Sequence, residues 1–303
     1  MFARTAILGA VLSLSTSAMA AITSVDLSTY QLTATYNLPL PAAAEASAVT
    51  WNWDNGNLFV LGDEGETLVE VTRAGATVST MSLSGFGDTE GLTYIGNGQF
   101  VIAEERLQDA FLLTYVAGGS VNRGTLQSVS LGPTIGNIGL EGISYEPGTG
   151  NFFVVKEKDP QAVYQASLNF AAGTGTVTDL FMPALGVADL SDIQVLSTVA
   201  SLQGTADQDN LLIFSQEASK LLEVSRTGQV LSEFDLSAIT GNAEGVTIDS
   251  NGVIYIVAEE YIGGSTPQLY VLTPAVPEPE TYALMIAGLG AIAAVARRRK
   301  SKH

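Results

Sequence analysis

One motif written five times constrains this chain more than any other feature. Residues 47–64 (SAVTWNWDNGNLFVLGDE), 90–105 (EGLTYIGNGQFVIAEE), 141–157 (EGISYEPGTGNFFVVKE), 191–217 (SDIQVLSTVASLQGTADQDNLLIFSQE) and 244–260 (EGVTIDSNGVIYIVAEE) share a single plan. Each is an apolar strand, a polar turn and a second apolar strand that ends in acid. The openings lie 43, 51, 50 and 53 residues apart. Asn55-Gly56, Asn97-Gly98, Gly148-Thr149-Gly150 and Asn251-Gly252 are hairpin turns, because glycine and asparagine reach the left-handed backbone that tight turns need. The fourth copy inserts a longer polar loop, Ser201 to Asp209.

A third strand follows every pair (TLVEVTR, AFLLTYV, AVYQASL, KLLEVSR, QLYVLTP), and a fourth follows the first four copies. The last copy lacks its fourth strand before Pro274, while a spare strand, TYQLTATYNL, precedes the first copy. A ring closed by that N-terminal strand leaves no long edge open. Repeats of this length with four strands each predict an all-β, five-bladed β-propeller. A β-sandwich or β-solenoid is the competing architecture, but a sandwich would not repeat one motif five times.

The ring brings the opening residues Ser47, Glu90, Glu141, Ser191 and Glu244 to the mouth of the channel. Because each hairpin goes out and returns, the closing residues Glu64, Glu105, Glu157, Glu217 and Glu260 form a wider ring on the same face, preceded by Asp63, Glu104, Lys156, Gln216 and Glu259. Three carboxylates converging on an axis repel one another, and a hard cation relieves the conflict. Glu90, Glu141 and Glu244 are therefore the candidate metal ligands, with Ca2+ the expected ion. Gly91, Gly142 and Gly245 follow them and permit close backbone approach. The wider ring also reads as ordinary solvated strand ends. Asp88, Asp189 and Glu45 are either secondary ligands or loop acids. Lys156 is either a counter-charge to the acidic face or a substrate contact.

Composition excludes several chemistries. There is no cysteine, and the single histidine is His303 at the end of the chain. Disulfides, thiol catalysis, histidine general bases and zinc sites built on those residues are unavailable. Of the 13 Lys and Arg, only Arg73, Arg106, Arg123, Lys156, Lys158, Lys220 and Arg226 lie in residues 21–275, against all but two of the 31 acids. Such a surface repels phosphate backbones, so nucleic acid is not an expected partner, whereas cations are.

The two ends read as addresses. Residues 1–20 combine a basic residue, an apolar run and Ala18-Met19-Ala20, the pattern of a cleaved secretory signal peptide. Residues 276–303 hold Pro277-Glu278-Pro279, an uncharged apolar run from Tyr282 to Ala296 and then Arg297-Arg298-Arg299-Lys300. As a helix that run would reach about 22 Å, short of a hydrocarbon core of about 30 Å unless flanking arginines snorkel. The tail resembles the PEP-CTERM sorting signal. That resemblance implies an exosortase-type sorting enzyme as partner, a transmembrane-like helix held transiently in the inner membrane, and delivery to the cell surface or extracellular matrix of a Gram-negative bacterium.

The repeats themselves, above all VVKEKDP at Val154–Pro160, resemble the SdiA-regulated family over nearly all of residues 28–275. The resemblance implies a five-bladed propeller with a calcium site, and by motif it points to Glu90, Glu141 and Glu244. The first copy departs from it with Ala48 and the fourth with Asp192-Ile193-Gln194. Three functions remain open on these residues. A non-enzymatic surface protein binding an extracellular polysaccharide or matrix protein is favoured for want of an evident nucleophile–base pair. A calcium-dependent lactonase or phosphoesterase, with Glu104, Glu259 or Asp63 as base, is the alternative. A purely structural matrix spacer is the third.

Overall fold

The computed structural model describes residues 22–275 apart from 65, 135, 137, 239–241 and 260–265. The expected signal peptide, the sorting segment with its helix, and Glu260 lie outside the described residues. No helix among the described residues is long and apolar enough to cross a membrane. The expected transmembrane helix finds no support among the described residues, and its own segment lies outside them.

Among the described residues, twenty-one strands form five sheets. After β1 (Tyr30–Asn37), the first blade is β2 (Ala46–Trp51), β3 (Leu58–Gly62), β4 (Thr67–Val71) and β5 (Thr77–Ser84). The second is β6 (Thr89–Gly96), β7 (Gln99–Glu104), β8 (Asp109–Thr114) and β10 (Gln127–Ser130), with the short β9 (Ser120–Asn122) between its last two strands. The third runs β11 (Leu140–Glu146), β12 (Asn151–Lys156), β13 (Ala162–Asn169), β14 (Thr174–Phe181), and the fourth β15 (Asp192–Val195), β16 (Leu211–Ser215), β17 (Lys220–Val224), β18 (Val230–Asp235). The fifth blade has only β19 (Ala243–Ile248), β20 (Ile254–Ala258) and β21 (Gln268–Pro274) of its own. Its outer strand is β1, antiparallel to β21 from Tyr30 opposite Pro274 to Asn37 opposite Gln268. The expected closure by the N-terminal strand is thus present. One addition was not expected: β9 pairs in parallel with β5, so the connection of the second blade covers the edge of the first.

Packing explains why the inner strands are so heavily buried, polar residues included. β2, β15 and β20 are buried along their whole length, as strands covered on both faces must be. The inner strands also solve an edge problem, because each turns one row of unpaired N–H groups toward the axis. Four residues of one repeat position answer it. Thr247 Oγ1 accepts from Trp51 N at 3.1 Å, Thr50 Oγ1 from Tyr94 N at 3.1 Å, Thr93 Oγ1 from Tyr145 N at 2.9 Å, and Ser144 Oγ from Val195 N at 3.0 Å. Gln194 completes the circuit, its Oε1 accepting from the Thr247 hydroxyl at 3.1 Å. Each of these side chains lies three residues after its blade's opening, and all are buried. A buried N–H left without a partner would cost about 1–3 kcal/mol, so this belt fastens every blade to the next.

Candidate metal centre

The opening residues sit where the inner strands begin, and the local backbone aims them. Glu90 falls between paired neighbours Thr89 and Gly91, Glu244 between Ala243 and Gly245, and Ser47 between Ala46 and Ala48. Each is the extra residue of a β-bulge; in the third blade the irregularity spans Glu141 and Gly142. A bulge takes a side chain out of the strand's alternation. Glu90, Glu141, Glu244 and Ser191 line one cavity of about 310 Å³. Ser47 does not: its buried hydroxyl donates to Thr89 O at 2.9 Å.

The glycines after the acids make the ring possible, but through the neighbouring blade. A Cβ on Gly91 would lie 2.7 Å from Glu141 O, and one on Gly245 2.6 Å from Ser47 O. One on Gly142 would lie 2.5 Å from the Cα of Asp192. Asp192 replaces the glycine in the fourth blade, and its buried carboxylate accepts from Ile193 N and from Val246 N across the seam, both at 2.7 Å.

Strand register corrects the expected outer ring. The residue preceding each opening pairs with Gly62, Glu104, Lys156 and Ala258 in blades one, two, three and five. The next residues, Asp63, Glu105, Glu157 and Glu259, with Gln216 in the fourth blade, line the cavity. Glu64 stands one place beyond and borders a separate cavity of about 330 Å³. Glu217 is half exposed and ion-paired to Lys158 at 3.0 Å. A ring drawn through the last acid of each copy is one residue off in the first and fourth copies, because Asp63-Glu64 and Gln216-Glu217 each end one position later than the ladder requires. Glu104, offered as a base, is also corrected. It points away from this cavity, its oxygens 2.6 and 2.7 Å from Arg123 Nη1.

The cavity wall carries eight carboxylates and one basic side chain, Arg106. Two groups of three acids among the described residues offer oxygens within 4.8 Å of one another: Glu105, Glu141 and Glu157, and Glu45, Asp63 and Glu64. The structure therefore brings Glu90, Glu141 and Glu244 to one cavity, but only Glu141 belongs to an ion-sized trio, and its companions come from the second strands. Burial raises the Glu90 carboxyl to about 8, with Asp88, Asp63, Glu105 and Glu259 adding repulsion. Burial raises Glu244 to about 9, helped by Glu259, Glu90 and Asp63. Glu105 rises to about 7, again first through burial, although Gly139 N donates to it at 2.8 Å. Glu141 is pushed well above the glutamate range by burial and by Glu90, Glu105, Glu157 and Glu244.

Compensation is partial. Gln216 Nε2 donates to Glu244 Oε1 at 2.5 Å, and Arg106 pairs with Asp88 at 2.8 Å. Lys156 is not the counter-charge: its ammonium donates to the carbonyls of Lys158 and Pro160 and so ties down the following turn. Lys158 takes that role, with Nζ 2.5 Å from Glu157 and 3.0 Å from Glu217. Asp189 is structural, accepting from Ser191 Oγ, the Ser215 hydroxyl and the backbone N–H groups of Gln216 and Glu217. Glu45 belongs to the second trio rather than to the central cavity.

The donor set suits a hard cation. It consists of carboxylates with amide and hydroxyl oxygens and has neither nitrogen heterocycles nor thiolates. One wall oxygen, Asp63 Oδ1, is buried with no hydrogen-bond partner among the described residues.

A family model, SdiA-regulated, matches residues 23–261. The chain belongs to the SdiA-regulated family. The PEP-CTERM protein-sorting motif matches residues 275–300, which supports export to the cell surface or extracellular space and implies an exosortase-type sorting system as partner. Among solved structures, the SdiA-regulated propeller resembles Myxococcus xanthus glutaminyl cyclase at 13% identity and a TM-score of 0.54, over 80% of this chain and 95% of that one. It also resembles a luciferin-regenerating enzyme (11% identity, TM-score 0.48, 79% and 95% covered) and a nidogen/laminin complex (14%, 0.48, 73% and 74%). At such identities the likeness shows the fold alone. A scaffold that also carries a glutaminyl cyclase lends no support to the lean toward a protein without catalysis.

Proposed function

We propose that this exported propeller is a calcium-dependent hydrolase acting on a neutral ester or lactone at the acidic mouth. The observation that carries this reading is the trio of Glu105, Glu141 and Glu157 within a cavity large enough for a small organic molecule. Glu141, Glu105 and Glu157 would seat the ion, with Glu90 and Glu244 contributing oxygens from the same wall. A calcium ion bound there would polarise a substrate carbonyl.

The chain's own residues do the rest. Glu259, fixed by Asn242 Nδ2 at 3.2 Å from its Oε2, is the wall carboxylate placed to take a proton from water. Asp63 is the second wall carboxylate suited to that task. Charge selects the substrate: the eight wall acids outnumber Arg106 and the Lys158 ammonium on Glu157, so with one divalent ion bound to the ionised cluster the mouth stays negative, and a phosphoester meets repulsion that a neutral ester or lactone does not.

Full-length protein assayed on aryl esters and lactones should turn over in calcium and stop in chelator. Glu259→Gln should lower the rate about 100-fold while calcium still raises the melting temperature. Stabilisation by calcium with no turnover on any ester or lactone would sink the hydrolase reading.

A further inference from the structure

We propose that Lys158 is a tethered cation that holds the metal seat until a divalent ion arrives, and that Glu217 is the second berth to which it then moves. The geometry lies at the junction of the third and fourth blades. Lys158 Nζ stands 2.5 Å from Glu157 Oε1 and 3.0 Å from Glu217 Oε1, so one ammonium is already shared between two carboxylates. Glu157 belongs to the compact trio with Glu105 and Glu141; Glu217 is outside it and half exposed. An ion entering the trio needs the Glu157 oxygens, and two cations on one carboxylate repel. Lys158 can leave Glu157 without losing its charge partner, because Glu217 is already in contact.

Both ends of this exchange are fixed by the fold. Lys156 ties the carbonyls of Lys158 and Pro160, which holds the backbone of the turn while the Lys158 side chain, four carbons long, swings. Glu157 is anchored through its backbone, its N–H donating to Gly139 O at 3.0 Å and its carbonyl accepting from Leu190 N at 3.1 Å. The Glu217 backbone N–H donates to the buried Asp189 carboxylate at 3.2 Å. Lys158 is partly exposed and keeps a carboxylate beside it in either position, so the exchange leaves no charge buried alone.

The inference rests on the metal site proposed above and not on hydrolysis. Its test is a double-mutant cycle on calcium affinity, read by calorimetric titration of full-length protein at fixed ionic strength. Lys158→Met should tighten calcium binding, and Glu217→Gln should weaken it by several-fold, because Lys158 then stays on Glu157. In the Lys158→Met background, Glu217→Gln should change affinity by less than about twofold, since there is no ammonium left to receive. A simple charge effect predicts the same weakening in both backgrounds, and an additive cycle overturns the proposal. If Lys158→Met fails to fold, Lys158→Gln serves the same cycle. Wild-type protein that binds no calcium overturns the metal site and this proposal together; binding with an additive cycle overturns this one alone.

Discussion

Raising the pH of the metal-free protein from 5.5 to 7.5 should destabilise it. Folded, Glu90 titrates at about 8 and Glu244 at about 9; unfolded, both return to the ordinary glutamate value of 4.5. Between those limits the folded state binds more protons, so stability falls as pH rises. The contribution is whole below about 4.5, is lost progressively as pH rises, and is gone above about 8 for Glu90 and about 9 for Glu244. Each carboxyl adds a slope of about 1.4 kcal/mol per pH unit, so two of them over two units give about 5 kcal/mol. For a domain of this size that corresponds to a fall in Tm of about 10–20 °C. Glu105 and Glu141, also raised by burial, add to the fall in the same direction. Calcium should flatten the profile, because it favours the ionised cluster that the proton otherwise neutralises. Scanning calorimetry at pH 5.5, 6.5 and 7.5, in chelator and in calcium, measures both slopes. A Tm in chelator that stays level or climbs with pH would refute the idea that these acids are buried against one another, as would an unchanged slope in the Glu90→Gln/Glu244→Gln variant.

Three further outcomes follow from single contacts. Gly142→Ala forces a Cβ to within 2.5 Å of the Asp192 Cα; it should cost about 3 kcal/mol, whereas Gly148→Ala, with nothing within 4 Å, should leave the denaturation midpoint in place. Thr93→Val removes the acceptor for Tyr145 N in the belt and should cost about 1–3 kcal/mol, seen by chemical denaturation. Glu104→Gln should weaken the fold through Arg123 yet leave calcium affinity within about twofold, while Glu105→Gln should lower that affinity about tenfold or more, a contrast that titration calorimetry reads directly.

How much of this could be read from the residues alone differs between fold and site. Blade count, hairpins and closure by β1 are properties of alternation and turn chemistry, and both are local, so five copies and a displaced strand were enough. The ring at the mouth depends on register, and register is a property of strand pairs. At Asp63-Glu64 and Glu259-Glu260 two acids stand side by side, and only the ladder decides which one faces the cavity. The same ambiguity hid the difference between Glu104, bound to Arg123, and Glu105, in the ion-sized trio. Lys156 and Lys158 flank Glu157 symmetrically in sequence, but the turn at Lys158–Pro160 sends one ammonium to backbone carbonyls and the other to the acids. The belt did leave a trace: Thr50, Thr93, Ser144, Gln194 and Thr247 recur at one repeat position. Threonine in a strand is so ordinary that the recurrence carries meaning only once the inner edges are seen to need acceptors.

The pairing of an acid with a following glycine links the mouth to the mechanics of the disc. Gly91 abuts the carbonyl of Glu141, Gly142 abuts Asp192, and Gly245 abuts the carbonyl of Ser47. In these three blades the residue next to a ring position is thus packed on the opening of the next blade. Repulsion among ionised acids pushes apart the backbones that the glycines and the hydroxyl belt hold together. A proton or a divalent ion at the mouth therefore acts on the seams as well as on the cavity. Glu90→Gln should on this argument relieve repulsion and raise the melting temperature in chelator at pH 7.5, while reducing the extra stability calcium confers, which is about 2.7 kcal/mol for the unaltered protein at 100-fold excess over Kd. A glutamine that left both quantities unchanged would show that the seams bear no load from the acids, and that the bulge at Glu90 serves the backbone alone.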